Sequence, residues 1–143
     1  MSLYSKNTVA NLIPCLCYRD LPAALEWLCA VFDFERRHVV EDEQAGILHA
    51  QLGFGSSLLM LGPVDDARED RLLSQPDEVG GVATQGIYVI VTSADALYTK
   101  AKAAGAQIVR ELKDEDYGGR GFSCRDPEGH LWSFGTYDPW AES

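Results

Sequence analysis

His49 and Gln51 stand two residues apart in "GILHAQLGF" (46–54). On a strand that spacing puts both side chains on one face. An imidazole titrates near ~6.5 when unperturbed. His49 is therefore the candidate for acid–base or hydrogen-bonding chemistry, and Gln51 is the neighbour that would satisfy it in a merely structural role. "CLC" places the sulfurs of Cys15 and Cys17 on one strand face. A zinc site there would need two more ligands, and Cys124 is the only other thiol in an expected strand. In "DYGGR", Tyr117 and Arg120 flank two glycines, so the loop either closes over a pocket mouth or forms a hydrated hairpin corner. "RDPEGHLWSF" (125–134) runs from a polar turn into an apolar strand. Asp126 and Pro127 suit a tight turn and Gly129 can take positive φ. Asp126, Glu128 and His130 then read as solvent-facing turn residues, while Arg125 could hold an anionic group. The three histidines, His38, His49 and His130, lie on separate segments. No Ser-His-Asp arrangement, P-loop or dinucleotide fingerprint is present. "GFGSS" (53–57) lacks the helix and lysine a phosphate loop needs.

The elements that carry these residues occur twice. "NLIPCLCY" (11–18) reads as a strand, and "DLPAALEWLCAVFDF" (20–34) as a helix capped by Asp20, with Leu21, Ala24, Leu25, Leu28 and Phe32 at helical spacing. Strands follow at 35–42, 46–54 and 56–62. The second half repeats the order: a strand at 85–92, a helix at 93–106, then strands at 107–114, 119–126 and 130–137. Matching Ile13 to Ile87 and Gly55 to Gly129 brings the halves into register. Each half is a βαβββ module, the first spanning about 9–62 and the second about 85–140. The polar connection between them (63–84) reads as a mobile linker or lid, with a short helix around Ala67 to Leu73.

A helix covers one face of each sheet, and two modules side by side make an α+β fold: a curved mixed sheet around a cleft, helices on the convex side. Period-2 alternation then assigns the cleft face. It would carry Ile13, Cys15 and Cys17; Ser57, Leu59 and Leu61; Ile87, Val89 and Val91; and Leu131, Ser133 and Gly135. His49 and Gln51 join them, with Ser123 and Arg125 in the matching places. Leu48, Ala50, Leu52, Trp132 and Phe134 face the helices. Tyr137 and Trp140 would cover an interface or a pocket rim. Such an apolar pocket with a few polar groups suits a small molecule.

The chain has 143 residues, with 12 Lys+Arg against 22 Asp+Glu and a net charge of −10. That balance works against nucleic acid and anionic membranes and suits a cation. No apolar run approaches the ~20 residues of a membrane span, and "MSLYSKNTVANL" lacks the apolar core of a signal peptide. The four cysteines read as small buried thiols of a reducing cytoplasm.

"YRDLPAALEWLCAVFDF", "DYGGRGFSCRDPEGHLWSFGTYDP" and the paired modules together resemble the vicinal oxygen chelate superfamily, which holds glyoxalase I, the bleomycin-resistance proteins and the extradiol dioxygenases. The resemblance implies one glyoxalase/bleomycin-resistance-like domain over 1–143, acting as a homodimer. It also implies four cleft ligands, two per half, of His, Glu or Gln type. Carried over, those positions are Ile13, Leu59, Ile87 and Ser133. One-residue slips reach Leu12 or Pro14, Leu58 or Met60, Gly86 or Tyr88, and Trp132 or Phe134, and supply no useful ligand. No metal and no other cofactor is therefore expected. The expected function is metal-free binding of a small apolar or aromatic ligand, with the acidic charge suiting a cationic one. The expected lining is Cys15, Cys17, His49, Gln51, Leu59, Val89, Tyr117, Arg120, Arg125 and Ser133. The alternatives are a metal-independent lyase or isomerase using His49, a cleft filled by its own side chains, and, least supported, a metal-dependent glyoxalase or dioxygenase.

Overall fold

The computed structural model describes residues 3, 8–65 and 71–141. The chain divides into two compact units, Met1–Leu73 and Ser74–Ser143. The first contains β1 (Cys15–Tyr18), α1 (Leu21–Phe32), β2 (Glu35–Asp42), β3 (Gly46–Phe54) and β4 (Ser57–Pro63). Its sheet has the order β1-β4-β3-β2. β1 runs parallel to β4, and the other pairs are antiparallel. The Asp20 carboxylate caps α1 by accepting from Ala23 N at 3.1 Å. Asp33 ends the helix in the left-handed region (φ 61°). Between those ends Leu21, Ala24, Leu25, Leu28, Val31 and Phe32 are buried, as are Tyr18, Ala50, Leu52, Leu59 and Leu61 of the sheet. Leu48 stays 46% exposed at the start of β3.

The second unit contains β5 (Ile87–Ile90), α2 (Ala94–Ala103), β6 (Gln107–Asp114), β7 (Arg120–Arg125) and β8 (Leu131–Gly135). Its order, β5-β8-β7-β6, and its parallel β5–β8 pair repeat the first unit. Ser93 caps α2, accepting from Ala96 N at 3.2 Å. Phe122, Cys124, Trp132 and Phe134 fill the core. The rings of Phe122 and Phe134 stack at 5.5 Å, and those of Trp132 and Phe134 at 6.3 Å. The protein is thus α+β, built from two βαβββ modules. No helix among the described residues is long and apolar enough to cross a membrane.

The register of the repeat differs from the sequence matching by one residue. Cys15 pairs with Met60 in the first unit, and Tyr88 with Ser133 in the second. Cys15 therefore corresponds to Tyr88, Met60 to Ser133, and the cap Asp20 to Ser93. A one-residue slip moves a strand's side chains to the opposite face. Ile87 and Val89, paired with Trp132 and Phe134, belong to the helix-side face, which leaves Tyr88 and Ile90 on the open face. Leu59 and Leu61 pair with Leu52 and Ala50 and are buried with them, which leaves Leu58 and Met60 open. Expected cleft residue Leu59 is therefore a core residue, and Val89, half-buried, lies on the helix-side face. The physical cause is turn length. Gly55 and Ser56 link the Phe54–Ser57 pair, whereas Pro127, Glu128 and Gly129 separate Asp126 from His130. The matched glycines occupy different turn positions.

The "DPEGH" turn is built around a buried carboxylate. Asp126 is only 5% exposed, which corrects its solvent-facing assignment. Its Oδ1 accepts from Glu128 N at 3.1 Å and His130 N at 3.0 Å, and its Oδ2 accepts from Trp132 Nε1 at 3.0 Å. Glu128 and His130 are half-buried. Gly129 takes φ 91°, and a Cβ there would meet Pro76 at 3.2 Å. Pro76 opens a 3-10 turn (Pro76–Val79) of the connection. Gln75, 2% exposed, donates from Nε2 to Glu128 at 2.9 Å and from its backbone N to Glu78 at 2.8 Å. This part of the connection is docked on the β7–β8 turn. Of the helix expected around 67–73, residues 67–70 lie outside the described residues, and Arg71–Leu73 are not helical.

Asp126→Ala would leave the buried Trp132 indole N–H and two turn N–H groups without their acceptor. At roughly 1–3 kcal/mol per unsatisfied buried donor, discounted for water reaching the turn, it should destabilise the protein by about 3 kcal/mol. Urea unfolding checks this; a loss under about 1 kcal/mol would contradict the role given to Asp126.

Candidate functional site

The open face of the first sheet gathers the polar and sulfur chemistry of that unit. Across it, Cys15 pairs with Met60, Met60 with Gln51, and Gln51 with His38; His49 pairs with Val40. His49 and Gln51 are half-buried, and the Gln51 amide lies 3.2 Å from His49 Nε2. With the amide N–H donating, Nε2 is the acceptor and the ring proton is on Nδ1. The contact orients the ring and leaves Nδ1–H as the group free to meet a ligand; a base role would require Gln51 to release Nε2. Cys15 is exposed and Cys17 half-buried, so neither is the fully buried thiol expected; only Cys124 is. Burial pushes the Cys17 thiol up, and the neighbouring Cys15 adds to the shift. Cys17 also borders a concavity of about 210 Å³ lined by Pro63, Val64, Asp65 and Arg71 to Leu73. A bulge in β2 lays the Arg37 side chain over Gly53, where a Cβ would come within 2.6 Å of the guanidinium.

The second sheet's open face carries hydroxyls. Tyr88 pairs with Ser133 and Ser133 with Ser123, and the two serine Oγ atoms are 2.7 Å apart. Arg125 shares this face but donates from Nη1 to Gly129 O at 2.9 Å, so its guanidinium braces the turn. Arg120 does not share it. Alternation along β7 turns Arg120 to the helix side, where it bonds Asp95 of α2 at 2.9 Å and Asp114 of β6 at 3.4 Å. It is removed from the expected lining for that reason. Tyr117 is 60% exposed and meets the Tyr137 ring edge to face at 5.1 Å. Tyr88 Oη donates to Tyr137 O at 2.7 Å. Burial, then the nearby Tyr117 and Asp138, push the Tyr88 phenol up. Gly118 and Gly119 allow this clustering with φ of 117° and 73°, and a Cβ on Gly119 would come within 2.5 Å of Tyr137 N. Tyr88 was missed because the shifted register turned it inward. Trp140 is 87% exposed. Cys124, pushed up to about 12 by burial and then by Asp126, is an inert core thiol.

The metal positions implied by the resemblance can now be set in the observed register. Ile13 and Ser133 stay, Leu59 gives way to Met60, and Ile87 to Gly86. The first unit then offers an aliphatic group and a thioether, and the second a hydroxyl and no side chain. A hard or borderline divalent cation needs carboxylate, imidazole or amide donors, so this set does not fit it. Among the described residues no three His, Cys, Asp or Glu come together to hold a metal.

Comparison with known proteins agrees with the architecture. A model of the Glyoxalase/Bleomycin resistance protein/Dioxygenase superfamily matches residues 8–134, spanning both units. Mb0911c of Mycobacterium bovis, an uncharacterised protein, is 30% identical over 131 residues, which is 90% of this chain and 84% of the relative. The crystal structure of TioX from Micromonospora sp. ML1 is similar at 30% identity and a TM-score of 0.68, covering 88% of this chain and 97% of TioX. The fosfomycin resistance protein FosX of Listeria monocytogenes, solved with Mn(II) and sulfate, covers 92% of both chains at 15% identity and a TM-score of 0.66, a likeness of fold alone. The chain belongs to the Glyoxalase/Bleomycin resistance protein/Dioxygenase superfamily.

Proposed function

We propose that this protein is a small-molecule-binding member of its superfamily, of the bleomycin-resistance type, that works without the superfamily's divalent metal. The observation that carries the reading is the open face of the first sheet. The oriented His49–Gln51 pair stands there beside Met60 and two thiols. The superfamily's ligand positions, meanwhile, hold Ile13, Met60, Gly86 and Ser133. A face with an apolar body and few fixed polar groups suits a small apolar or aromatic molecule. The net charge of −10 favours a cationic one and works against nucleic acid and anionic membrane. A metal-independent lyase or isomerase is the second reading, with His49, oriented by Gln51 on the open face, as its acid–base group once Gln51 releases Nε2. Reduced thiols with no disulfide support a cytoplasmic setting.

A thermal-shift panel of aromatic cations, followed by calorimetric titration of the hits, tests the binding reading. His49→Ala should weaken a hit by about 0.5–1.5 kcal/mol, roughly two- to twelvefold, while His130→Ala leaves it unchanged. Loss of binding in the His130 variant alone would move the site to the β7–β8 turn. Turnover of a hit, abolished by His49→Ala, would favour the second reading.

We also propose a homodimer. Within each sheet the two outer strands, β1 and β2 or β5 and β6, each leave one backbone edge to be covered. Light scattering at micromolar concentration should give twice the chain mass; the mass of one chain would refute it.

A further inference from the structure

We propose that Cys15, Cys17 and Met60 form a binding site for a soft monovalent cation, Cu(I) in chemical class. The observed register creates this trio. "CLC" places two thiols on the open face of β1, and the β1–β4 register pairs Met60 with Cys15, which puts its side chain on the same face. With Leu59 on that face, as the sequence matching had it, no third sulfur would be present. Two thiols and a thioether are the donors that select Cu(I) over Zn(II), which would need two further ligands of imidazole, thiolate or carboxylate type. His49 is not one of them, since its Nε2 is engaged by Gln51.

Spacing favours a bridging ion over a disulfide. Residues two apart on a strand have Cβ atoms about 6.7 Å apart, from a rise of ~3.3–3.4 Å per residue. A disulfide needs Cβ atoms about 3.5–4.5 Å apart, so the strand would have to buckle. Metal–sulfur bonds of ~2.3 Å hold two sulfurs about 4.6 Å apart in a linear S–M–S unit. Leaning the two Sγ atoms toward each other closes the remaining gap without moving the backbone. The thioether, one strand away at ~4.8 Å, can then approach as a third donor. Cys15 is exposed, while Cys17 and Met60 are half-buried, so the ion has a route in and a partly dry seat. The Cys15 thiol donates only a long bond to Ile13 O, at 3.8 Å, which binding would displace. Binding breaks two S–H bonds, releases both protons to solvent and forms two metal–thiolate bonds. No atom changes oxidation state.

Ag(I), a redox-inert ion of the same class, is the probe, titrated into the full chain in chloride-free buffer and read by native mass spectrometry and calorimetry. The wild type should take one Ag(I) per chain. Cys15→Ser and Cys17→Ser should each weaken binding at least about tenfold, and Met60→Leu about three- to tenfold at unchanged stoichiometry. Cys29→Ser should have no effect. Circular dichroism confirms that each variant is folded. Anaerobic Cu(I) should then be withdrawn from a bicinchoninate complex by wild type and not by the double serine variant. Independent uptake of one Ag(I) at each accessible thiol, wild-type affinity in the double variant, or failure to compete for Cu(I) would overturn the proposal. These results leave the organic-ligand reading to its own titration.

Discussion

The Asp126 carboxylate joins three donors that the sequence spreads over five residues: the backbone N–H groups of Glu128 and His130 and the indole of Trp132. Buried charge persists only when hydrogen bonds replace its water, and these do so. The bond to Trp132 fixes the first turn of β8 against the β7–β8 reversal. With β8 set, Ser133 meets Ser123 on one side and Tyr88 on the other, and Trp132 and Phe134 are committed to the core. The same turn accepts the connection, through Glu128 to Gln75 and through Gly129 beneath Pro76. One side chain thus links register, core and the path of the chain into the second unit. The first unit reaches the equivalent register with a shorter turn, Gly55–Ser56, and no buried acid.

Much of this was legible in the residues. Both βαβββ modules, the Asp20 and Ser93 caps and the apolar stripe of α1 follow from local rules of spacing and capping. His49 and Gln51 could be assigned to one face because Ala50 and Leu52 between and beside them are apolar. That contrast is missing in "SLLMLG" and "GIYVIV". Apolar residues occupy both faces there, and periodicity cannot choose between them. The choice then rested on matching turn glycines that prove not to be equivalent, and Leu59, Ile87 and Val89 went to the wrong face. Asp126 failed for a different reason. A carboxylate before Pro-Glu-Gly has every local mark of an exposed turn. The one hint was Trp132, whose N–H needs a partner once the ring is buried.

The fold itself does not name a chemistry, since the same architecture carries unrelated reactions. What distinguishes this chain is the set of side chains on its two open faces. Sulfur and imidazole lie on one, and hydroxyls and a tyrosine cluster on the other. Neither face offers carboxylates at the superfamily's metal positions. The polar groups present are already hydrogen-bonded to one another, His49 to Gln51 and Ser123 to Ser133. Such paired groups are oriented before a ligand arrives, which lowers the ordering cost of binding.

Elemental analysis of the purified protein, after growth with Zn, Ni, Mn and Fe supplied, tests the central claim most directly. The donor set of Ile13, Met60, Gly86 and Ser133 predicts no stoichiometric amount of any of the four. One tightly held ion of that group per chain, lost on Ser133→Ala, would contradict the account of a site without the superfamily's divalent metal.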